Sequence, residues 1–420
     1  MFQGTKIADD HNRDPFPYDP TSIDYLLVTH AHIDHVGRIP KLVRDGFKGA
    51  IYSTPPTKDI AEVMLVDSLG VLEREARHEN LQPFYSETDV EAGMRLWQCV
   101  PYRTNFNLGP FTISFRDAGH TLGSSSIELV IEGKKIVFTG DLGNSPTPLL
   151  RDAEFITDID YLIIESVYGD RIHEKREERK EILEQTIEQT IKKDGTLMIP
   201  SFSLERTQEL LYEIERMMEG DKIPLVPVFI DSPLAIKVTE IYKRYEDYFN
   251  KEVRYIISSG NELFQFPQLH MTMTSDESKE IFTKYTVPKV VIAGSGMSNG
   301  GRILHHEKHY LPDPNSTLLL VGYQAVRTLG RRLQEGQKLV RINGEDVAVN
   351  AHVVTLSGYS GHRDSQGLLD YVSQTVDTLK KVYCVMGEQK SALFLVQRIR
   401  DFLGVDATAP LPGEFTEIVL

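Results

Sequence analysis

The chain has 420 residues, a formal net charge of −15, 40% hydrophobic and 25% charged residues, the make-up of a soluble globular protein of about two to three domains. No apolar run reaches membrane-span length and no signal peptide opens the sequence, so no membrane partner is expected; two cysteines, Cys99 and Cys384, make no disulfide framework and fit a reducing cytoplasm. The acidic balance argues against loose, sequence-independent coating of nucleic acid, although bound divalent ions would add positive charge locally.

The first element, Tyr25–Thr29, reads as a buried strand and runs directly into His30-Ala31-His32-Ile33-Asp34-His35. Three imidazoles and a carboxylate at the mouth of a strand suit zinc and similar borderline cations. His30 and His32 leave an extended backbone on the same side, while Asp34 and His35 follow as the chain turns into Val36–Pro40. One short loop can therefore face two neighbouring ions. A solvated His-rich loop is the plain alternative, but it rarely follows a clean strand at this spacing.

Strand and helix patterns then alternate, as in an α/β protein. Ala50–Thr54 reads as a strand, Pro56–Arg77 as a helix and Phe111–Arg116 as a strand. Ser125–Ile131 and Lys135–Thr139 flank a turn at Glu132-Gly133-Lys134, and Tyr161–Glu165 is a further buried strand. A long charged helix, Glu174–Lys193, opens a second series in which Thr196–Pro200, Val226–Ile230, Lys289–Ala293 and Thr317–Val321 are strands, suggesting a parallel sheet. Strands resume near Ala351 and the chain closes on a helix around Lys390–Phe402. With no internal repeat, low-complexity tract or flexible linker, a compact insert within a host domain is expected, divided as 1–173, 174–349 and 350–420.

Other chemistry sits at strand ends. His120 lies among small residues in Ala118–Ser124, and Asp141 in Thr139–Gly143. Alone, each reads as a turn residue satisfying backbone amides; beside the His cluster they become further ligands. Glu165 ends a very apolar strand, and His362 sits among small residues in Ser357–Asp364. The run Gly294–Arg302 follows a strand and precedes a helix, so it is either a phosphate-holding loop or a tight turn without ligand. Ser295, Gly296, Gly300, Gly301 and Arg302, with Ser360, are the candidate substrate-binding residues.

Taken together these residues resemble the metallo-β-lactamase-fold nucleases that carry a β-CASP insert. That family includes the endonuclease subunit of the eukaryotic cleavage and polyadenylation factor, ribonuclease J and short bacterial and archaeal RNA-processing enzymes. His30-x-His32-x-Asp34-His35 is similar to the family's second motif, His120 to its third, Asp141 to its fourth, Glu165 to motif A and His362 to motif B. The stretches Ser203–Leu211, Asp231–Ala235, the glycine-rich run to Arg302 and Val321–Gln324 are similar to the RNA-processing branch. The resemblance implies an αββα sandwich interrupted by an inserted α/β domain. His30, His32 and His120 would hold one zinc, Asp34 and His35 a second, and Asp141 both. Two such ions, about 3.5–4 Å apart, generate a hydroxide and stabilise in-line displacement at phosphorus. His362, oriented by Glu165, would protonate the leaving oxygen, so Asp34, Glu165 and His362 are the catalytic candidates. The implied activity is hydrolysis of single-stranded RNA to 3′-hydroxyl and 5′-phosphate ends.

Two departures qualify the match. Met386 stands where the family's motif C has a histidine ligand, and a thioether is a poor partner for zinc, so the second ion should be held more weakly. The chain also begins inside a segment, Met1–Lys6, that the family's opening hairpin and motif 1 aspartate precede. Three rivals therefore stay open: a DNA nuclease of the same fold, a catalytically degenerate RNA-binding member, and a metal hydrolase of small esters. A homo-oligomer also stays open.

Overall fold

The computed structural model describes residues 11–173, 176–286 and 288–418, so Met1–Lys6 and the first two residues of the expected charged helix lie outside the described residues. The chain divides into two compact units, one ending at Ile172 and resuming at Gly361, the other His173–Ser360. Among the described residues no helix is long and apolar enough to cross a membrane.

The first unit holds a seven-stranded sheet in the order Ala407–Thr408, Lys381–Val385, Tyr161–Glu165, Lys134–Phe138, Ser125–Ile131, Phe111–Asp117 and Phe106–Leu108. A second, parallel sheet pairs Tyr25–Leu27, Ala50–Ser53 and Trp97–Cys99. Alternation along each strand splits its apolar residues between two faces. Ile113, Phe115 and Ile127 of the large sheet pack with Leu27 and Tyr52 of the small one, forming the inner layer. Leu162, Ile164, Val382 and Cys384 face outward, where helices Ser365–Ser373 and Gln389–Leu403 cover them with Leu368, Leu395 and Ile399. In helix Pro55–Glu79, Ala61, Leu65, Leu69, Leu72 and Ala76 form the buried stripe of an amphipathic helix. This is the expected αββα sandwich.

The second unit is built on a six-stranded parallel sheet ordered Leu269–Met271, Val228–Asp231, Lys289–Ala293, Thr196–Pro200, Thr317–Val321 and His352–Leu356. Its central strands are buried throughout, as a parallel sheet covered on both faces requires. The strand series of this unit continues beyond residue 349, where the sequence places the end of the insert. His352–Leu356 pairs residue for residue with Thr317–Val321, so the series does not end at Val321 and the units divide at 360/361.

Asp231, from the Asp231–Ala235 stretch, organises this unit. Its carboxylate is fully buried and accepts from Thr272 Oγ1 at 2.6 Å, Arg302 Nη1 at 2.7 Å, Ser278 Oγ at 2.7 Å and His306 Nε2 at 2.8 Å. Burial alone would raise its pKa, but these donors, His306 foremost, together hold it well below the usual carboxylate range. A depressed carboxylate contributes stability that is fully present above the unfolded pKa of about 3.9 and is lost as pH falls from there. Asp231→Ala should therefore destabilise the protein by about 3–5 kcal/mol in chemical unfolding, because it leaves the buried His306 Nε2 and the half-buried Arg302 without their carboxylate. An unchanged unfolding midpoint would contradict this account of Asp231.

Candidate metal centre

All the metal-ligand candidates fall in the first unit. The strand Tyr25–Leu27 continues its pairing through Val28, whose amide donates to Tyr52 O at 2.9 Å, and Thr29 O then accepts from Ser125 N at 2.7 Å. That anchoring points His30 and His32 inward before His32 caps the short helix Ile33–Val36, which carries Asp34 and His35. His120 and Asp141 arrive from loops after Phe111–Asp117 and Lys134–Phe138. The two loops touch at Gly143, where a Cβ would lie 1.8 Å from Gly119 O, so only glycine fits.

Four donors converge. His32 Nδ1 lies 3.1 Å from both His30 Nε2 and His120 Nε2, and Asp141 Oδ2 lies 3.4 Å from His30 Nε2 and 3.5 Å from His120 Nε2. Arms of about 2.0–2.1 Å to a tetrahedral zinc would put donors roughly 3.3–3.4 Å apart. These residues fit a divalent metal. The second arc is looser: His35 Nε2 is 3.5 Å from Asp141 Oδ2 and 3.6 Å from Asp34 Oδ2, with the Asp34 side chain 45% exposed. His35 Nε2 and Asp141 Oδ1 are both buried without a hydrogen-bond partner, as ligand atoms facing an ion would be.

Charge states favour coordination. Burial, reinforced by neighbouring imidazoles, holds His30 and His120 below their ordinary range and His32 down to about 3, leaving neutral rings with free lone pairs. Burial works against the Asp141 anion, yet the imidazoles that face it, the protonated His362 among them, outweigh burial and its pKa falls well below normal. Outer contacts set the rings: His120 Nδ1 donates to Gly361 O at 2.9 Å, freeing Nε2, and His30 Nδ1 lies 3.2 Å from Thr29 Oγ1.

Glu165 and His362 form a pair beside the cage. His362 Nδ1 lies 3.2 and 3.1 Å from the two carboxylate oxygens and 3.9 Å from Asp141 Oδ2. Glu165 Oε1 also accepts from Leu142 N at 2.7 Å, tying it to the residue after Asp141. Burial opposes the charge on His362, but Glu165 and then Asp141 lift its pKa to about 9. The structure thus brings together His30, His32, Asp34, His35, His120, Asp141, Glu165 and His362. Gly361 O, Leu142 N and Gly143 were missed, since backbone contacts leave no side-chain signature in a sequence. Met386 follows the strand Lys381–Val385 in a left-handed conformation and is half exposed.

The substrate-binding candidates belong to the second unit. The Arg302 guanidinium donates to Asp231 Oδ1 at 2.7 Å, Thr272 O at 2.9 Å and Met273 O at 2.9 Å. Gly301, at φ +74°, lies against Gly294 O, where a Cβ would come within 2.3 Å, and Gly296 lies against Phe202. Ser295 Oγ accepts from Asn299 N at 3.1 Å, and Ser295 N donates to Gly300 O at 3.1 Å. The run is thus braced by bonds within itself. Ser360 is buried at the end of this unit.

A buried three-histidine, one-aspartate cage at the rim of an αββα sandwich defines a metallo-hydrolase. Family models agree along the chain: the metallo-beta-lactamase superfamily matches residues 15–185, the Beta-Casp domain 207–333, and the Zn-dependent metallo-hydrolase RNA specificity domain 346–410. The chain belongs to the β-CASP branch of the metallo-β-lactamase superfamily. It is 38% identical over 396 residues to Ribonuclease TTHA0252 of Thermus thermophilus, covering 94% of this chain and 88% of that protein. An RNase J-like protein of Methanocaldococcus jannaschii is 33% identical over 405 residues, covering 95% and 90%. Transcription termination factor FttA of Methanosarcina mazei is 29% identical over 427 residues, and there the chain spans 66% of the relative's length.

Proposed function

We propose that this chain is a zinc-dependent ribonuclease that hydrolyses phosphodiester bonds of single-stranded RNA, leaving 3′-hydroxyl and 5′-phosphate ends. The observation that carries the reading is the convergence of His30, His32, His120 and Asp141 directly beside the His362–Glu165 pair. The names of the relatives and the RNA specificity match over 346–410 support RNA as the substrate. His30, His32, His120 and Asp141 would hold a first zinc; Asp34, His35 and Asp141 would hold a second, more weakly. Bound there, the ions supply an activated water and offset charge on the phosphate. The chain's own residues do the rest. Asp141, kept ionised, faces both sets of ligands. His362, kept protonated by Glu165, delivers a proton to the leaving 3′ oxygen. The two thiols, both free, support a cytoplasmic setting.

The test is chelation followed by zinc add-back, with product ends analysed on single-stranded RNA. Cleavage should vanish with chelation, return with zinc and leave ends that a 5′-phosphate-dependent exonuclease degrades. Cleavage that survives chelation, or 2′,3′-cyclic phosphate products, would overturn the mechanism.

A further inference from the structure

Arg363 directly follows His362 and is buried, yet it lies outside the ligand cage. Its donors point at the segment after Asp141: its amide donates to Leu142 O at 2.8 Å and its Nε to Gly143 O at 3.0 Å. Around it, His362 forms an antiparallel bridge with Gly143, and Asn144 N donates to Gly361 O at 3.1 Å. The guanidinium carbon sits 5.3 Å from the Phe155 ring and 5.8 Å from the Tyr371 ring. The segment it grips is a junction. Leu142 N donates to Glu165 Oε1, and Gly143 N donates to Ala118 O at the base of the His120 loop. Gly361 O, in turn, accepts from His120 Nδ1.

A buried guanidinium carries a desolvation cost that an apolar chain of similar length would avoid. What it adds here is direction, through a charge-assisted bond to a carbonyl two residues from Asp141. We infer that Arg363 is a positioning residue that locks Leu142–Asn144 to Gly361–His362, so that Asp141, Glu165, His120 and His362 keep one arrangement. The inference rests on the ribonuclease reading for its effect on rate, but its structural half can be measured without any activity.

The experiment compares full-length Arg363→Met and Arg363→Lys with the unsubstituted chain by amide hydrogen exchange and by RNA cleavage. For Arg363→Met, exchange at Asn144 and at position 363 should accelerate on the order of tenfold, while amides of Lys381–Val385 stay protected. kcat should fall roughly 10- to 100-fold with KM little changed. Arg363→Lys, whose ammonium can still donate to Gly143 O, should recover part of both losses. If Arg363→Met does not fold, intermediate exchange at Asn144 in the lysine variant supports the inference and unsubstituted exchange there refutes it. Unchanged exchange at Asn144 in a folded Arg363→Met refutes it as well. An unsubstituted chain that cuts no RNA would sink the ribonuclease reading alone, since the exchange data still decide the role of Arg363.

Discussion

Asp141→Ala should cut RNA hydrolysis by about a thousandfold or more and strip the protein of most of its metal. Its Oδ2 lies within 3.5 Å of a nitrogen from each of His30, His35 and His120, so one carboxylate serves both ligand sets. His30, His32 and His120 are neutral, so the first ligand set would be left with no anion to balance a divalent charge. Losing metal-derived stabilisation of several kcal/mol corresponds to about three decades in rate. Plasma mass spectrometry of the purified variant, alongside steady-state cleavage, measures both effects. A variant that retains full metal content and cuts within tenfold of the unsubstituted rate would remove Asp141 from the centre of the site.

His362→Ala should lower kcat by about 10²–10⁴, the usual contribution of a positioned general acid, with metal content unchanged. Its Nδ1 is engaged by Glu165 at 3.1 Å and is 3.9 Å from Asp141, whereas the four tightly converging donors close without it. A substrate carrying sulfur in place of the leaving 3′ oxygen provides the discriminating readout, because a thiolate leaves without a proton. That substrate should restore most of the lost rate to His362→Ala and none to Asp141→Ala. Loss of metal from His362→Ala would make His362 a ligand rather than a proton donor.

Part of the cage was legible in the sequence because His30 and His32 share a side of an extended strand end, while His120 and Asp141 joined them only through the resemblance of their motifs to the family's. The buried strands Tyr161–Glu165, Thr196–Pro200 and Lys289–Ala293 were legible for a related reason: fully covered strands are continuous apolar runs. A strand near Ala351 was legible, but its pairing with Thr317–Val321 was not, since that register is a long-range contact. The glycine-rich run was ambiguous in principle, since a phosphate loop and a self-bonded turn demand the same residues. The pairing of Arg302 with Asp231 is a long-range contact that no local pattern encodes. The contacts that hold His120 and Glu165 in place run to backbone atoms of Gly361 and Leu142, which any residue could have supplied.

The most direct test of the central claim is cleavage of end-labelled single-stranded RNA and DNA of matched sequence, with and without chelator, beside a His32→Ala control. The account predicts that the unsubstituted chain cuts RNA in preference to DNA, and that chelator and His32→Ala each abolish cutting. Preferential cutting of DNA, or RNA cutting by the chelated protein or by His32→Ala, would contradict it.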